Sequence, residues 1–156
     1  MKVHIGNYNK KNDSRKIQVT IDPYDTWNLD STLAYIIYPA LLQMKATKHG
    51  MPSEFAEVGG EDWQQQSSFD FYADTCGDCW KLAEERWDEA MDKMIWAFQQ
   101  MCIDGGYEDK YHTKVPVADD PLRCEYRFDG VGAMLHEERI QEGLDLFSKY
   151  YRHLWD

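Results

Sequence analysis

Residues 87–98 read WDEAMDKMIWAF, and the periodicity of this stretch organises the fold around it. Large apolar side chains recur at positions i, i+4, i+7 and i+11, which places them on one face of an α-helix. They are Trp87, Met91, Met94 and Phe98. The sequence therefore predicts a helix with one continuous buried stripe.

The opposite face of this helix is acidic, yet it contains a second tryptophan. Glu85, Glu89, Asp92 and Trp96 follow one another at helical spacing. Because tryptophan is mostly buried in folded proteins, we predict that Trp96 is covered by a second layer. Three sources could supply that layer: residues 51–76, residues 107–132 or a second copy of the chain.

Two further helices are predicted. LDSTLAYIIYPALLQMKATKHG, residues 29–50, is apolar on both sides, which is typical of a helix between two layers, so we expect it to be central. Asp30 or Ser31 can cap its start, and Pro39 should kink it. AMLHEERIQEGLDLFSKYYRHLW, residues 133–155, has an apolar stripe made of Ile140, Leu144, Phe147, Tyr151 and Leu154.

The remaining segments complete the predicted fold. KVHIG and KIQVTID alternate apolar and polar residues around NYNKKNDS, which predicts a β-hairpin. The helix around residues 87–98 should run from about Asp78 to Ile103, and residues 51–76 and 107–132 are expected to be irregular. We predict one α+β, mainly α domain over residues 1–156, with the N-terminal β-hairpin packed on three long helices.

Composition and charge narrow the function classes. The chain is 43% hydrophobic and 14% aromatic, which is typical of a folded globule. Its net charge of −11 repels nucleic acid, so we expect no direct nucleic-acid binding. No apolar run suits a membrane span or a signal peptide, and we expect a cytoplasmic protein. Three classes stay open: an ordinary acidic domain, an acidic binder of a basic partner, and a DNA mimic.

The four cysteines allow a zinc site. Cys76 and Cys79 form a C-x-x-C pair, and Cys102 and Cys124 follow at a distance. All four, or three of them with His112, could hold zinc. The alternative is reduced cytosolic thiols without a metal.

Carboxylates on two helices allow a magnesium site. Glu85, Glu89 and Asp92 could act in a Mg²⁺-dependent nucleotide hydrolase, facing Glu138, Glu142 and Asp145 on the last helix. Glu89-x-x-Asp92 resembles half of the pattern of all-α nucleotide pyrophosphohydrolases. The other half, Glu137-Glu138-x-x-x-Glu142, departs by one residue and comes in the wrong order. The alternative is a solvated face with ion pairs such as Asp145 with Lys149.

Aromatic and basic side chains suggest a small-molecule pocket instead. An aromatic platform with a few cations can hold a base and its phosphates without a basic surface. The candidates are Trp27, Lys48, His49, Trp96, Arg123, Arg127 and Arg139. The alternative is that such rings fill the core and that His49 interacts with a helix C-terminus.

Four blocks carry a resemblance to a family. DTWNLDSTLA, KATKHG, WDEAMDKMIWAF and GLDLFSKYYRHLWD together resemble small accessory proteins of tailed bacteriophages, of the marine large-phage type. The resemblance covers about half of the chain and implies synthesis in the host bacterial cytoplasm. It also implies a role against host defence, by binding a host protein or by trapping or cleaving a nucleotide signal.

We therefore expect a non-enzymatic phage accessory protein that sequesters a small nucleotide-like ligand. The Mg²⁺-dependent hydrolase and the acidic interaction protein or DNA mimic remain alternatives. A homo-oligomer is also compatible with the sequence.

Overall fold

The computed structural model describes residues 1–56, 77–103, 106–117 and 120–155. Its architecture is α+β and mainly helical, with an N-terminal β-hairpin, as predicted. The described α-helices are α1 Leu29–Thr47, α2 Ser53–Ala56, α3 Gly77–Met101 and α4 Gly130–Tyr150. The described strands are β1 Lys2–Ile5, β2 Ile17–Thr20, β3 His112–Val117 and β4 Asp120–Phe128. Single turns of 3-10 helix occupy Pro23–Thr26, Tyr107–Tyr111 and Tyr151–His153.

α3 is the central helix, because α1 and α4 both pack against it. Its predicted stripe forms the core: Trp87, Met91 and Met94 are buried almost completely, and Phe98 is 4% exposed. The expectation that the first helix is central is wrong. α1 contacts α3 through one side, where Ala34 and Leu41 are buried.

The start of α1 also differs from the prediction. The cap position is Asn28, which makes no capping hydrogen bond through its side chain. Asp30 and Ser31 instead lie inside the first turn, where the negative charge of Asp30 suits the helix dipole. The helix continues through Pro39 and ends at Thr47.

α4 packs closely on α3 through a glycine. Gly143 is buried, and a Cβ atom built on it would lie 2.5 Å from the Cβ of Ala97 and 2.5 Å from the carbonyl oxygen of Lys93. The end of the predicted stripe is shifted by one residue, because Tyr150 is buried and Tyr151 is 65% exposed. The chain enters a 3-10 turn after Tyr150, which changes the angular spacing.

The sequence predicts that residues 107–132 are irregular, and this prediction is wrong. Much of the segment forms a second hairpin. β3 pairs with β4 in antiparallel register, with Val115 opposite Glu125 and Pro116 opposite Cys124. The register shifts between Pro116 and Val117. Two prolines within the strands obscure the alternating pattern, although proline is tolerated at strand edges and irregularities.

Ion pairs link α3 to both neighbouring helices. On the α1 side, Lys45 binds Asp92 at 2.5 Å, and Lys48 lies 3.2 Å from Asp88. On the α4 side, Lys93 binds Glu142 at 2.5 Å. These pairs account for part of both acidic stripes. At least one partner in each pair is exposed, which limits each pair to a modest contribution.

Trp96 is half-buried, and α4 supplies the layer that covers it. The guanidinium of Arg139 lies 3.9 Å from the centre of the Trp96 ring, a cation–π arrangement. The ring of His136 lies 5.0 Å from the same ring. The predicted second layer therefore exists, but its nearest members come from α4.

His136 is enclosed by rings and hydrogen bonds. Tyr107 stacks on it at 4.3 Å, and its Nδ1 is 2.9 Å from the hydroxyl of Tyr111. Its Nε2 is buried and has no hydrogen-bond partner in the described part of the chain. Burial lowers the pKa of His136, assisted by the positive charges of Lys110 and Arg139. The hydrogen bond to Glu137 raises the pKa of Tyr107 to about 12.

The core assignment predicts the cost of two truncations. Phe98→Ala should lower the free energy of unfolding by about 3–5 kcal/mol, because it empties a buried site against Phe147. Ile37→Ala should cost about 2 kcal/mol, since Ile37 is only half-buried. Equilibrium urea denaturation measures both, with the exposed neighbour Gln99→Ala as control. Near-native stability of Phe98→Ala would contradict this core.

A second prediction concerns the contact between α3 and α4. Gly143→Ala should lower the free energy of unfolding by about 1–3 kcal/mol, because the added methyl group overlaps Ala97 and backbone. Gly50→Ala is the matched control, since nothing lies within 4 Å of a Cβ there. Equal denaturation midpoints for the two variants would show that α4 does not approach α3 at Gly143.

A third prediction follows from the lowered pKa of His136. His136 binds its proton less readily in the folded state than in the unfolded state, where the pKa of the imidazole lies near 6.5. The stability from neutral His136 is therefore fully present above that value and is lost as pH falls through the folded pKa. Melting temperatures of the wild type should fall from about pH 7.5 to 5.5, and those of His136→Phe should fall less. An equal fall of the melting temperature in the two proteins would contradict the lowered pKa of His136.

Candidate functional site

A cavity of about 510 Å³ lies where the chain leaves α1 and approaches the end of α4. One wall is the segment between α1 and α2, and another is Trp87 on α3. The third wall is formed by His153 and Trp155, which come after α4 in the chain. The described lining residues are Met44, His49, Gly50, Met51, Pro52, Ser53, Trp87, His153 and Trp155. We call this space the indole–imidazole cavity.

Three mutually packed rings hold the walls together. Phe55 lies 5.4 Å from Trp87 and 5.2 Å from Tyr150, and Trp87 lies 5.3 Å from Tyr150, measured between ring centres. The rings belong to α2, α3 and α4, so they connect the elements around the cavity. Burial of three large rings is among the strongest contributions that a small core contains.

Charged groups add a second connection between α2 and α4. Glu54 accepts hydrogen bonds from Lys149 at 3.0 Å and from the Tyr150 hydroxyl at 3.5 Å. The Lys149 hydrogen bond lowers the pKa of the Glu54 carboxyl, and the hydrogen bond with Tyr150 is the main cause that raises the pKa of Lys149. The side chains of Glu54 and Lys149 are about half exposed, so their ion pair orients the segment more than it stabilises it.

Hydrogen-bond donors lie on the cavity wall and, in the case of Trp87, buried behind it. Trp87 is 1% exposed, and its Nε1 has no hydrogen-bond partner in the part of the chain that the structure describes. His49, His153 and Trp155 add imidazole and indole N–H groups, and Ser53 adds a hydroxyl. The described lining contains no acidic side chain, although the whole chain has a net charge of −11. This wall therefore suits a ligand that presents acceptors.

The predicted ligand-binding residues do not meet in one place. Of this set, His49 lines the indole–imidazole cavity. Lys48 is its neighbour, but its ammonium group lies 3.2 Å from Asp88 and 3.5 Å from Glu84. Arg139 covers Trp96 instead.

The remaining predicted cations lie on the second hairpin. Arg123 and Arg127 are exposed on β4. They share a strand, but they do not line the cavity that holds His49.

Trp27 lines a different and larger cleft, of about 730 Å³. This second cleft lies between the start of α1 and the end of α3, and its other rings include Tyr24, Tyr35 and Tyr107. Trp27 is 82% exposed, and the lining includes the carboxylates of Asp25 and Asp30. An acidic cleft opposes a phosphate-bearing ligand, so size alone does not make it the better site.

The carboxylates of the hydrolase alternative do not surround a common point. Glu85 and Glu89 are exposed, and Asp92 is paired with Lys45. Across the described ranges, no three His, Cys, Asp or Glu side chains are grouped to hold a metal ion.

The zinc prediction falls partly outside the described residues, which do not include Cys76. Cys79 lies in the first turn of α3, while Cys102 and Cys124 are free thiols, each half-buried. Burial raises the pKa of the Cys102 thiol, which disfavours the thiolate that binds zinc. His112 packs its ring 4.8 Å from Phe128.

Sequence reasoning missed three residues of the cavity wall. Trp87 was assigned to the core, which is correct, but a buried indole also carries an N–H that needs an acceptor. His153 and Trp155 belong to the sequence H-L-W-D and lie two residues apart after α4. Nothing in their spacing indicates that they return to the end of α1.

None of the described helices combines the length and apolarity that a membrane span requires. In comparisons with known proteins, no family model, no curated protein and no solved structure matches this chain. The resemblance to phage accessory proteins therefore remains a prediction.

Proposed function

We propose that the protein binds and sequesters a small nucleotide-like ligand, and that this ligand occupies the indole–imidazole cavity. The observation that carries the proposal is the buried Nε1 of Trp87, which lacks an acceptor among the described residues. The volume of about 510 Å³ falls within the usual range for small-molecule sites. The rings on its wall supply the apolar surface that such sites have.

The energetics favour an acceptor-bearing ligand. A buried N–H without an acceptor costs about 1–3 kcal/mol, and a ligand carbonyl or ring nitrogen that reaches Nε1 after a small shift of the buried ring would remove this cost. A nucleobase offers acceptors along its edge and flat faces that stack on aromatic side chains. Trp87 and Trp155 provide the complementary donors and rings.

The charge of the cavity limits the phosphate content of the ligand. His153 can donate a hydrogen bond to one phosphate group. The arginines that could neutralise several phosphates lie elsewhere, with Arg139 on Trp96 and Arg123 and Arg127 on β4. The proposed ligand is therefore a nucleoside or a nucleotide with few charges.

The biological role follows from the phage resemblance and is part of the same proposal. A phage accessory protein in the host bacterial cytoplasm could remove a nucleotide signal of host defence by binding it. Sequestration requires recognition contacts, and the rings and donors around the cavity support this part of the proposal.

Calorimetric titration tests the proposal. Adenosine, AMP, cyclic AMP, cyclic GMP and ADP-ribose are titrated into the wild type, and at least one should bind. Trp87→Phe keeps a ring in the core but removes the N–H, so it should weaken binding by about tenfold. Trp27→Phe removes an indole N–H from the second cleft and should leave the affinity unchanged.

Three outcomes would oppose the proposal. No heat of binding with any of these compounds would remove it. Loss of binding in Trp27→Phe but not in Trp87→Phe would move the site to the second cleft. Equal affinity of Trp87→Phe and the wild type would show that Nε1 meets no ligand acceptor. Circular dichroism and melting temperature confirm that each variant is folded.

A further inference from the structure

The N-terminal hairpin exposes an apolar face. Val3 pairs with Val19 and Ile5 pairs with Ile17 across β1 and β2, and residues at this spacing share one face of a sheet. All four side chains are 42–65% exposed. An isolated two-stranded hairpin is marginally stable in water, so an exposed face of Val and Ile indicates a surface that is covered in use.

α1 also exposes a row of apolar side chains. Leu29, Leu33, Ile36 and Ala40 are exposed at i, i+4, i+7 and i+11, which aligns them along one flank of the helix, about a third of a turn from the buried Ala34 and Leu41. We call these four residues the outer stripe. A helix with apolar residues around much of its circumference is normally buried on more than one side, yet the described contacts of α1 bury only the side toward α3.

The hairpin and the rest of the chain have opposite charges. Residues 1–20 contain five Lys or Arg side chains and one acidic side chain, a net charge of +4, whereas the whole chain has −11. Residues 21–156 therefore carry −15. Asp30 stands in the first turn of α1, beside the outer stripe. The hairpin is thus complementary in charge to the body that carries this stripe.

We propose that two copies of this chain form a dimer in which the hairpin of each copy packs its apolar face on the outer stripe of the other. Reciprocal contacts of this kind satisfy a two-fold axis, because the same two surfaces meet twice. The pairing covers both apolar surfaces and brings opposite charges together. It rests on the hairpin and α1 alone and is independent of ligand binding.

Charge argues against the two simpler symmetric arrangements. Packing hairpin on hairpin would bring two segments of net charge +4 together, and packing outer stripe on outer stripe would bring two strongly acidic bodies together. Like charges at close range oppose association. The exchanged arrangement avoids both repulsions. A nucleic-acid partner would neutralise the lysines but would leave Val and Ile exposed.

Light scattering coupled to size exclusion tests the proposal over a range of protein concentrations. The wild type should have about twice the chain mass of 18.4 kDa. Val19→Asp places a charge on the apolar face and should give the monomer mass. Gln18→Asp is the matched control, because it adds the same charge to the opposite face of β2 and should retain the dimer.

Mixing two variants identifies which surfaces meet. Ile36→Asp damages the outer stripe and should also be monomeric alone. A mixture of Val19→Asp with Ile36→Asp contains one intact hairpin and one intact outer stripe on different chains. One of the two contacts in the mixed dimer is then undamaged, so a species of dimer mass should reappear.

Several outcomes would overturn the proposed dimer. A wild type that stays monomeric at every concentration overturns it, as does equal dimerisation of Val19→Asp and Gln18→Asp. The exchanged arrangement is overturned if Val19→Asp disrupts the dimer and Ile36→Asp does not. It is also overturned if no species of dimer mass reappears when the two variants are mixed. Helical circular dichroism must match the wild type in each variant, which is expected because the altered side chains lie outside the core.

Discussion

The near-complete burial of one stripe on α3 is the constraint on which the rest of the structure depends. Trp87, Met91 and Met94 are each less than 2% exposed, so the stripe removes three large side chains from water. One neighbouring helix cannot cover such a stripe. α1 and α4 therefore approach α3 from two sides, and the ring of Phe55 closes the end near Trp87.

The layers around α3 also explain the second tryptophan. α4 follows α3 closely because Gly143 admits the backbone of Lys93 and the side chain of Ala97. This approach brings His136 and Arg139 over the flank of α3, where Trp96 lies. Trp96 therefore needs no second subunit, although it sits among acids, and its cover depends on the same helix contact as the core.

Helical periodicity alone predicted the three long helices and the buried stripe of α3, because both follow from spacing along one chain. It could not show which helix is central. Apolar residues on both sides of α1 indicate two contacts, but they do not show whether the second contact is made within the chain. The β3–β4 hairpin escaped prediction because Pro116 and Pro121 interrupt its alternation.

The candidate site was less predictable than the fold, since it combines residues that are distant in sequence. His49 was predicted from its residue type, while His153 and Trp155 join it only through the way α4 ends. Arg123, Arg127 and Arg139 were grouped by chemistry, and the fold separates them. A list of suitable residue types cannot predict convergence, which depends on tertiary contacts that one sequence does not reveal.

The opposed placement of Trp87 and Trp96 on α3 has a consequence for how this chain can change through evolution. Successive residues of an α-helix are rotated by about 100°, so deleting one residue between them would turn one ring away from its layer while the other stays in place. Neither α1 nor α4 could then move so that both rings stay covered. Substitutions on the exposed positions of this segment are tolerable, whereas its length of eight intervening residues, Asp88 to Ile95, is not adjustable.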